Sequence, residues 1–577
     1  MGAGASTGSR TLDGVPASPG VAAGPARVLA GSAPPPGDAN GDGESLRDPA
    51  RAALRVDEAL DQVADDLRRM EQRLRESGRT EEADIVGVGA LIADDPALRS
   101  EARREVGEGR GPAQAIARAA ERYASAIAAI GDPVLAERAA DVRQVGRRAV
   151  AALGNGRASV AHDVGPVVLL AEELGPADIL GLSDGEVAAA AAVRGGPNAH
   201  AAIVARSLGV PLVLGLDPAV LAVPDGTPLV VDGDRGSVIV EPGSAELAAA
   251  REAMRSAVRT KAALASERSL PCETLDGVRI TLLCNVATAA ETRAGLEAGA
   301  EGVGLLRTEL PFLDAADWPD EEAHRRVLEP ILSQLHGRTA TVRVLDFGGD
   351  KVPPFLAAFQ DPREGQARGL PPLLRTPDAL GSQLRAALRA GAATQLRILV
   401  PMVTSLREVR LAREELDRAL AETGTEAAEM GVMVEVPSAA LLAERLAGQV
   451  DFLSIGTNDL TERVLGVHRR DPGARPALAA HPTVVTLVNR VVRAGAAQGK
   501  PVGVCGEAAA DPLVLPVLVG LGVASVSVAP SRVDEVRARI RRLSAETCRQ
   551  VARSAARLDS VEAVWELVRE RALPDLG

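Results

Sequence analysis

Eight short apolar runs rich in β-branched residues recur between residues 269 and 577, and they constrain the fold more than any other feature of this chain. They are RITLLCNV (279–286), GVGLL (302–306), ATVRVLD (340–346), LRILVPM (396–402), GVMVEV (431–436), DFLSIG (451–456), PVGVCG (501–506) and ASVSV (524–528). Helix-like segments separate most of them, and eight strand–helix units in about 300 residues predict a (β/α)8 TIM barrel. A doubly wound parallel sheet shows the same alternation, so the number of runs favours the barrel more than any single run does.

The predicted strands end in polar or reactive side chains. In a TIM barrel the active site lies at the carboxyl ends of the strands. This sequence places Asn285, Arg307, Asp346, Glu435, Asn458, Asp459 and Cys505 there. The pattern therefore predicts a chemically active site at that end of the barrel.

Two other sequence patterns, one helical and one mixed α/β, precede the predicted barrel. Val56, Leu60, Val63, Leu67, Met70 and Leu74 form the apolar stripe of an amphipathic helix. Further Ala-rich, charged segments predict a helical bundle, whereas short apolar runs at 167–174, 210–216 and 228–234 predict a mixed α/β domain. We predict a disordered tail (1–10), an α/β domain (11–43 and 154–243) with an inserted helical bundle (44–153), a linker helix (244–268) and the barrel (269–577). Residues 33–43 have the composition of a linker.

Composition argues against several classes of partner. The net charge of -13 and the aromatic content of 1% disfavour nucleic acids and anionic membranes. Four scattered cysteines, without a CxxC pair, indicate neither a disulfide framework nor a zinc site. The sequence shows no apolar signal region and no run of about 18 apolar residues. We expect a cytoplasmic protein.

The first candidate site residue is His200, in GGPNAHAAIVARSLGVP (195–211). Glycines precede it and a helical pattern follows, so it should lie near a helix N-terminus, where the dipole and backbone N–H groups favour an anion. A neutral imidazole is a competent nucleophile toward phosphorus. The alternative is a helix-capping or surface histidine, and the local pattern alone favours that alternative.

The barrel sequence supplies the second set of candidates. Arg307 ends a strand, Arg343 lies in the next one and Arg469 follows the sixth. Guanidinium groups suit the oxygens of phosphates and carboxylates, so a phospho-carboxylate would need several of them. The alternative is that each arginine pairs with a surface carboxylate.

Two carboxylates and a thiol complete the candidates. Glu435 and Asp459 close the fifth and sixth strands, and two neighbouring carboxylates are a common way to hold Mg²⁺, which would polarise a phosphate. The alternative is a pair of helix N-caps, although Glu435 before Val-Pro is a poor cap. Cys505, in VGVCGE, could donate a proton to an enolate, or it could be a small buried hydrophobic residue.

In this order the motifs resemble Enzyme I of the bacterial phosphoenolpyruvate-dependent sugar phosphotransferase system. The resemblance covers nearly the whole chain and rests on ASPGVAAGPA (17–26), ERAADVRQVGRR (137–148), GAEGVGLLRTE, LDFGGDK, GVMVEVPSA, SIGTNDLT and GVCGE. It implies a multidomain α/β protein. A swivelling phosphohistidine domain would carry an inserted helical subdomain, and a phosphoenolpyruvate-binding TIM barrel would follow.

The resemblance also implies a mechanism. Phosphoenolpyruvate would bind in the barrel, with Mg²⁺ at Glu435 and Asp459; the substrate-binding positions are Arg307, Arg343, Asn458, Asp459 and Arg469. His200 would attack through Nε2 and become phosphohistidine, while Cys505 would protonate the enolate to give pyruvate. The phosphoryl group would pass to the phosphocarrier protein HPr, which docks on the helical subdomain. The resemblance further implies a homodimer joined through the barrels and a large swing of the histidine domain, with residues 244–268 as a candidate hinge arm.

The chain departs from the family pattern at four places. Asn198-Ala199 replaces Thr-Ser, Arg463 replaces an aromatic residue, His468 replaces an acidic residue, and residues 361–374 differ from the usual segment. No core catalytic position is lost. The Asn198-Ala199 change is the only one that supports an alternative, a non-catalytic or weakly active regulatory paralogue that binds a phosphocarrier-like partner. Pyruvate phosphate dikinase and phosphoenolpyruvate synthase share two of the domains but add an ATP-binding domain, for which this sequence has no Gly-rich phosphate loop.

Overall fold

The structure, a computed structural model, divides the chain into two compact units, Met1–Thr260 and Lys261–Gly577. It describes residues 9–29, 48–76, 80–129, 133–153, 166–180, 187–196, 199–313, 315–347, 353–357, 369–425, 427–468 and 474–573. The predicted linker at 33–43 and the site candidates Asn198 and Arg469 lie outside these residues. So do most of the predicted tail (1–8) and most of the divergent segment at 361–374.

In the described residues, the first unit contains a bundle of five helices. They are α1 (Pro49–Glu76), α2 (Thr80–Asp94), α3 (Pro96–Gly107), α4 (Pro112–Ala128) and α5 (Pro133–Leu153). Four of the five begin with proline, whose missing N–H costs nothing in the first turn of a helix. All six residues of the predicted α1 stripe are buried, and they form part of the apolar core of the bundle.

An eight-stranded sheet also belongs to the first unit. Its strands are β1 (Arg10–Asp13), β2 (Val15–Ser18), β3 (Val21–Val28), β4 (Val167–Ala171), β5 (Val187–Ala192), β6 (Leu212–Leu214), β7 (Pro228–Asp232) and β8 (Ser237–Val240). The spatial order is β1-β8-β7-β3-β4-β5-β6-β2, in which β3 to β6 run parallel and the outer pairs antiparallel. Arg10 already belongs to β1, one residue before the predicted start of this domain.

Three helices accompany the sheet in the part of the unit that the structure describes. Helix α6 (Pro176–Leu180) and helix α7 (His200–Leu208) follow β4 and β5 along the chain, and α8 (Ser244–Ser266) follows β8. Helix α8 ends two residues before the predicted end of the linker helix at 268, and the division between the two units falls within it.

The second unit is a closed barrel of eight parallel strands, which confirms the predicted TIM barrel. The strands are β9 (Thr281–Val286), β10 (Gly302–Leu306), β11 (Thr339–Arg343), β12 (Gln395–Val400), β13 (Glu429–Val434), β14 (Phe452–Ile455), β15 (Val502–Val504) and β16 (Ser525–Val528). Each overlaps one of the eight apolar runs. The runs are apolar because a parallel strand is covered on both faces, as in β10, where all five residues are buried.

Helices surround this barrel. They are α9 (Ala289–Glu297), α10 (Glu321–Leu332), α11 (Pro354–Ala357), α12 (Leu370–Arg375), α13 (Pro377–Ala390), α14 (Leu406–Thr423), α15 (Pro437–Leu441), α16 (Ala443–Ala447), α17 (Thr457–Leu465), α18 (Pro482–Ala497), α19 (Leu515–Leu521), α20 (Val533–Arg542), α21 (Ala545–Ala555) and α22 (Val561–Arg571). Among the residues that the structure describes, no helix combines the length and apolar character needed to cross a membrane.

Candidate active site

His200 is the first residue of α7, at the helix N-terminus that its sequence predicts. Its Nδ1 lies 3.4 Å from Oδ2 of Asp141, a carboxylate of α5 that is 5% exposed. Arg138 donates to the same oxygen at 3.3 Å. A carboxylate beside Nδ1 favours the tautomer with its proton on that nitrogen, which places the imidazole lone pair on Nε2. In that tautomer Nε2 is the ring nitrogen that could act as a nucleophile.

The carboxyl end of the barrel opens into a cavity of about 860 Å³. All seven polar or thiol residues predicted at strand ends line it, namely Asn285, Arg307, Asp346, Glu435, Asn458, Asp459 and Cys505. Arg343 lines it as well. Residues that are far apart in sequence thus meet at one site, because parallel strands deliver their carboxyl ends to the same rim.

Arg343 is held inside this cavity by two acidic side chains. Its Nη2 and Nε donate to Oε1 of Glu309 at 2.8 and 3.2 Å, and its Nη1 lies 3.4 Å from Oδ2 of Asp346. Burial by itself would lower the pKa of Arg343, but the carboxylates of Glu309, Asp346 and Glu435 raise it above its ordinary value. The guanidinium therefore stays charged, and it is one of three arginines that line the cavity, with the exposed Arg307 and Arg532, and that could bind an anionic ligand.

Glu435 is almost fully buried, and its environment is acidic. Its Oε1 accepts a hydrogen bond of 2.7 Å from the backbone N–H of Met402, which has a left-handed backbone with φ of 56°. Burial raises the pKa of Glu435 to about 8, and repulsion from Asp346 and Asp459 adds to the rise. A cation in this place would remove the repulsion, so the carboxylates suit a metal ion.

The structure argues against the N-cap alternative for both carboxylates. The N-cap of α15 is Val436, and the side chain of Glu435 instead accepts from Met402. The N-cap of α17 is Gly456, and Asp459 lies within the first helical turn. In the described part of the chain no three His, Cys, Asp or Glu side chains form a complete metal site. A Mg²⁺ ion here would therefore need further oxygen ligands from water or a substrate, and Mg²⁺ sites in proteins commonly include such ligands.

Cys505 is buried immediately after β15. Its Sγ accepts a hydrogen bond from the Ser454 hydroxyl at 3.3 Å, and its carbonyl accepts one from Nδ2 of Asn285 at 2.8 Å. Burial raises the pKa of the Cys505 thiol to about 11, although the Ser454 bond opposes the rise. The thiol therefore keeps its proton at neutral pH and can serve as an acid.

Of the two remaining candidates, Asn458 and Arg469, the structure describes only the first. Asn458 lines the cavity, and its Oδ1 accepts from the backbone N–H of Glu507 at 3.0 Å. Arg469 lies outside the described residues. Sequence reasoning missed Glu309 and Asp141 as partners of Arg343 and His200. Glu309 carried a signal, since it follows Arg307 by two residues at the same strand end, and Asp141 lies inside the quoted motif ERAADVRQVGRR.

Three protein-family models match the chain. Residues 13–138 match "PEP-utilising enzyme, N-terminal", residues 164–236 match "PEP-utilising enzyme, mobile domain", and residues 261–545 match "PEP-utilising enzyme, PEP-binding domain". The third range begins where the two structural units divide.

Curated relatives extend the similarity along the chain. A phosphoenolpyruvate-protein phosphotransferase of Streptomyces coelicolor is 38% identical over 86% of this chain and 91% of its own length. One of Geobacillus stearothermophilus is 32% identical over 97% of this chain and 98% of its own length. A multiphosphoryl transfer protein of Rhodobacter capsulatus is 39% identical over 80% of this chain, and the match spans 56% of the length of that relative.

Proposed function

Since this chain belongs to the phosphoenolpyruvate-protein phosphotransferase family of PEP-utilising enzymes, we propose that it phosphorylates its own His200 from phosphoenolpyruvate. Nε2 of His200 attacks phosphorus, the bond between phosphorus and the enol oxygen breaks, and the enolate leaves. The Cys505 thiol gives its proton to the methylene carbon of the enolate, which yields pyruvate and a thiolate that solvent reprotonates. The observation that carries the proposal is the meeting of Arg307, Arg343, Glu435 and Cys505 at one barrel cavity.

Each part of the substrate has a matching group in the cavity. The phosphate and carboxylate of phosphoenolpyruvate match the guanidinium groups of Arg307 and Arg343, and Asn458 adds an amide. We assign Arg469 to the same role from its sequence position alone. Glu435 and Asp459 would hold Mg²⁺, and the bound ion would neutralise charge on the transferring phosphate.

The phosphohistidine would then serve a protein acceptor. We propose a histidine of the phosphocarrier protein HPr, docked on the α1–α5 bundle, as the acceptor and sugar uptake as the use of the phosphoryl group. The support is the names of the relatives, which include the phosphoenolpyruvate-dependent phosphotransferase system of Escherichia coli. A homodimer joined through the barrels and a swing of the histidine domain between its two partners belong to the same proposal.

Labelled substrate tests the proposal directly. Protein incubated with Mg²⁺ and phosphoenolpyruvate labelled in the phosphate should acquire acid-labile label and release pyruvate. His200→Ala should abolish the label. His336→Ala is a matched control, since it removes an exposed histidine of the barrel unit and should keep the label. Failure of the unmodified protein to become labelled at micromolar concentration would refute the proposal and favour the regulatory alternative.

The acceptor is tested separately. Labelled protein freed of phosphoenolpyruvate should lose its label to added HPr, and an HPr variant without its acceptor histidine should receive none. Retention of the label in the presence of intact HPr would leave the first step standing and would exclude HPr as the acceptor.

A further inference from the structure

Gln383 is a fully buried amide on α13 that sequence analysis did not single out. Its Oε1 accepts from the backbone N–H of Leu345 at 2.9 Å, and its Nε2 donates to Oγ1 of Thr308 at 3.0 Å. Thr308 is itself 1% exposed, and its hydroxyl donates to the carbonyl oxygen of Arg343 at 2.9 Å. One amide thus joins the polypeptide just beyond β10 to the polypeptide just beyond β11.

The two joined segments carry the charged wall of the cavity. Thr308 lies between Arg307 and Glu309, while Leu345 lies between the Arg343 strand end and Asp346. The side chains of Glu309 and Asp346 are the partners of the Arg343 guanidinium. A shift of either segment would therefore change the distance between Arg307 and Arg343.

We propose that Gln383 is a positioning residue, which fixes the spacing of the Arg307 and Arg343 segments for an anionic substrate without touching that substrate. This inference rests on the proposed function, since it assigns the two arginines to phosphoenolpyruvate. Every side chain of the link is buried, so water cannot replace a lost hydrogen bond. Removal of the amide leaves the Leu345 N–H without its acceptor and the oxygen of the Thr308 hydroxyl without its donor.

Gln383→Met tests the role, because methionine keeps the length of the side chain but neither hydrogen bond. We expect KM for phosphoenolpyruvate to rise about tenfold, with kcat changed less than about threefold, because misplaced arginines weaken substrate binding. Gln334→Met is the matched control. Gln334 is a half-buried amide of the same unit whose Nε2 donates to the carbonyls of Ala289 and Pro330, away from the cavity. The Gln334→Met variant should leave the KM for phosphoenolpyruvate unchanged.

Gln383→Glu supplies a readout that a merely structural role would not move. A protonated glutamic acid can accept from Leu345 and donate to Thr308 as the amide does, whereas the carboxylate cannot donate. We therefore compare the KM of this variant with the KM of the unmodified protein at the same pH. The ratio of the two should approach one in acidic buffer and should rise with pH.

Thr308→Ser and Thr308→Val repeat the test from the other end of the link. Serine keeps the hydroxyl and should keep the ordinary KM, whereas valine should raise KM as Gln383→Met does. The double variant Thr308→Val with Gln383→Met should be no worse than the poorer single variant. Equal KM values for Gln383→Met and the unmodified protein, while the latter becomes labelled, would overturn the inference and leave the proposed function intact. Absence of labelling in the unmodified protein would count against the proposed function.

Discussion

The reactivity of His200 depends at the residue scale on which ring nitrogen holds the proton. Asp141 lies beside Nδ1 and is buried, so water does not screen the attraction between its carboxylate and a proton on Nδ1. Asp141→Asn keeps the shape of the side chain but replaces the negative charge. We expect phosphorylation of His200 by phosphoenolpyruvate to slow about tenfold, since the amide holds the reactive tautomer less firmly.

The matched control for Asp141 is Asp178→Asn. Asp178 is a carboxylate of the same unit that pairs with Arg147 at 3.0 Å and accepts from the backbone N–H of Gly175. Its loss should leave the labelling rate within about twofold of the ordinary value. Rapid-quench measurement of the phosphohistidine compares the two, and equal rates for Asp141→Asn and the unmodified protein would contradict the tautomer argument.

Cys505 gives a second prediction at this scale. In Cys505→Ala the enolate should leave the site unprotonated and take its proton from solvent, so pyruvate formed from stereospecifically labelled phosphoenolpyruvate in deuterated water should be racemic at the methyl group. The unmodified protein should give one enantiomer. Cys284→Ala is the control, because Cys284 is also buried, with its pKa raised to about 12, but lies outside the cavity. Racemic product from the unmodified protein would exclude the Cys505 thiol as the proton donor.

Individual site residues were predictable only where the strand pattern located them. The eight runs put Glu435 and Cys505 at strand ends, and strand ends share one rim in a barrel, so the cavity lining followed from the sequence. Gln383 and Asp141 lie inside helices, where a buried polar residue has no distinctive spacing. Their contacts depend on how helices dock against distant segments, and a single sequence does not contain that information.

Elements were predicted best where burial has a clear period. Stripe residues of α1 are 0–8% exposed, as a period of 3.6 requires. Strand β5 was missed because its sequence is VAAAAA, and alanine favours helices. Its four last residues are nevertheless buried, and the strand pairs in parallel with β4 and β6. Tertiary context overrides the local preference there.

The α1 stripe allows a prediction about the stability of the bundle. Leu67 is 2% exposed in the bundle core, so Leu67→Ala should destabilise the first unit by about 2–5 kcal/mol through the cavity it leaves. Leu54→Ala, on the same helix at 60% exposed, should change stability by less than about 0.5 kcal/mol.

Intrinsic chromophores allow that change to be assigned to one unit. The single tyrosine of the chain, Tyr123, lies in α4, whereas both tryptophans, Trp318 and Trp565, lie in the barrel unit. Leu67→Ala should therefore lower the midpoint of the unfolding transition that tyrosine absorbance follows. The midpoint of the transition that tryptophan fluorescence follows should not change. A loss of stability confined to the tryptophan signal would show that the stripe does not stabilise the bundle as its burial indicates.

For the whole molecule, the two compact units divide the proposed chemistry between them. His200 and Asp141 belong to the first unit, and the cavity with its arginines and carboxylates belongs to the second. The division has a thermodynamic consequence, since a ligand stabilises only the unit that binds it. Mg²⁺ should therefore raise the unfolding temperature reported by tryptophan and leave the one reported by tyrosine unchanged.

The pH dependence of the Mg²⁺ effect follows from Glu435. Its pKa is raised from 4.5 to about 8 in the folded barrel, so between these values the folded state binds more protons than the unfolded state. Without metal, the stability of the barrel should fall as pH rises from about 5 to 8, because the buried carboxyl must lose its proton beside Asp346 and Asp459.

Mg²⁺ needs the ionised carboxylate, so its affinity should fall up to about tenfold for each pH unit below 8. The thermal shift produced by Mg²⁺ should thus grow with pH, and Glu435→Gln should abolish both the shift and its pH dependence. A Mg²⁺ shift that is the same at pH 6 and pH 8, or that survives in Glu435→Gln, would place the metal elsewhere, because Glu435 is the buried carboxylate whose ionisation the acidic neighbours oppose.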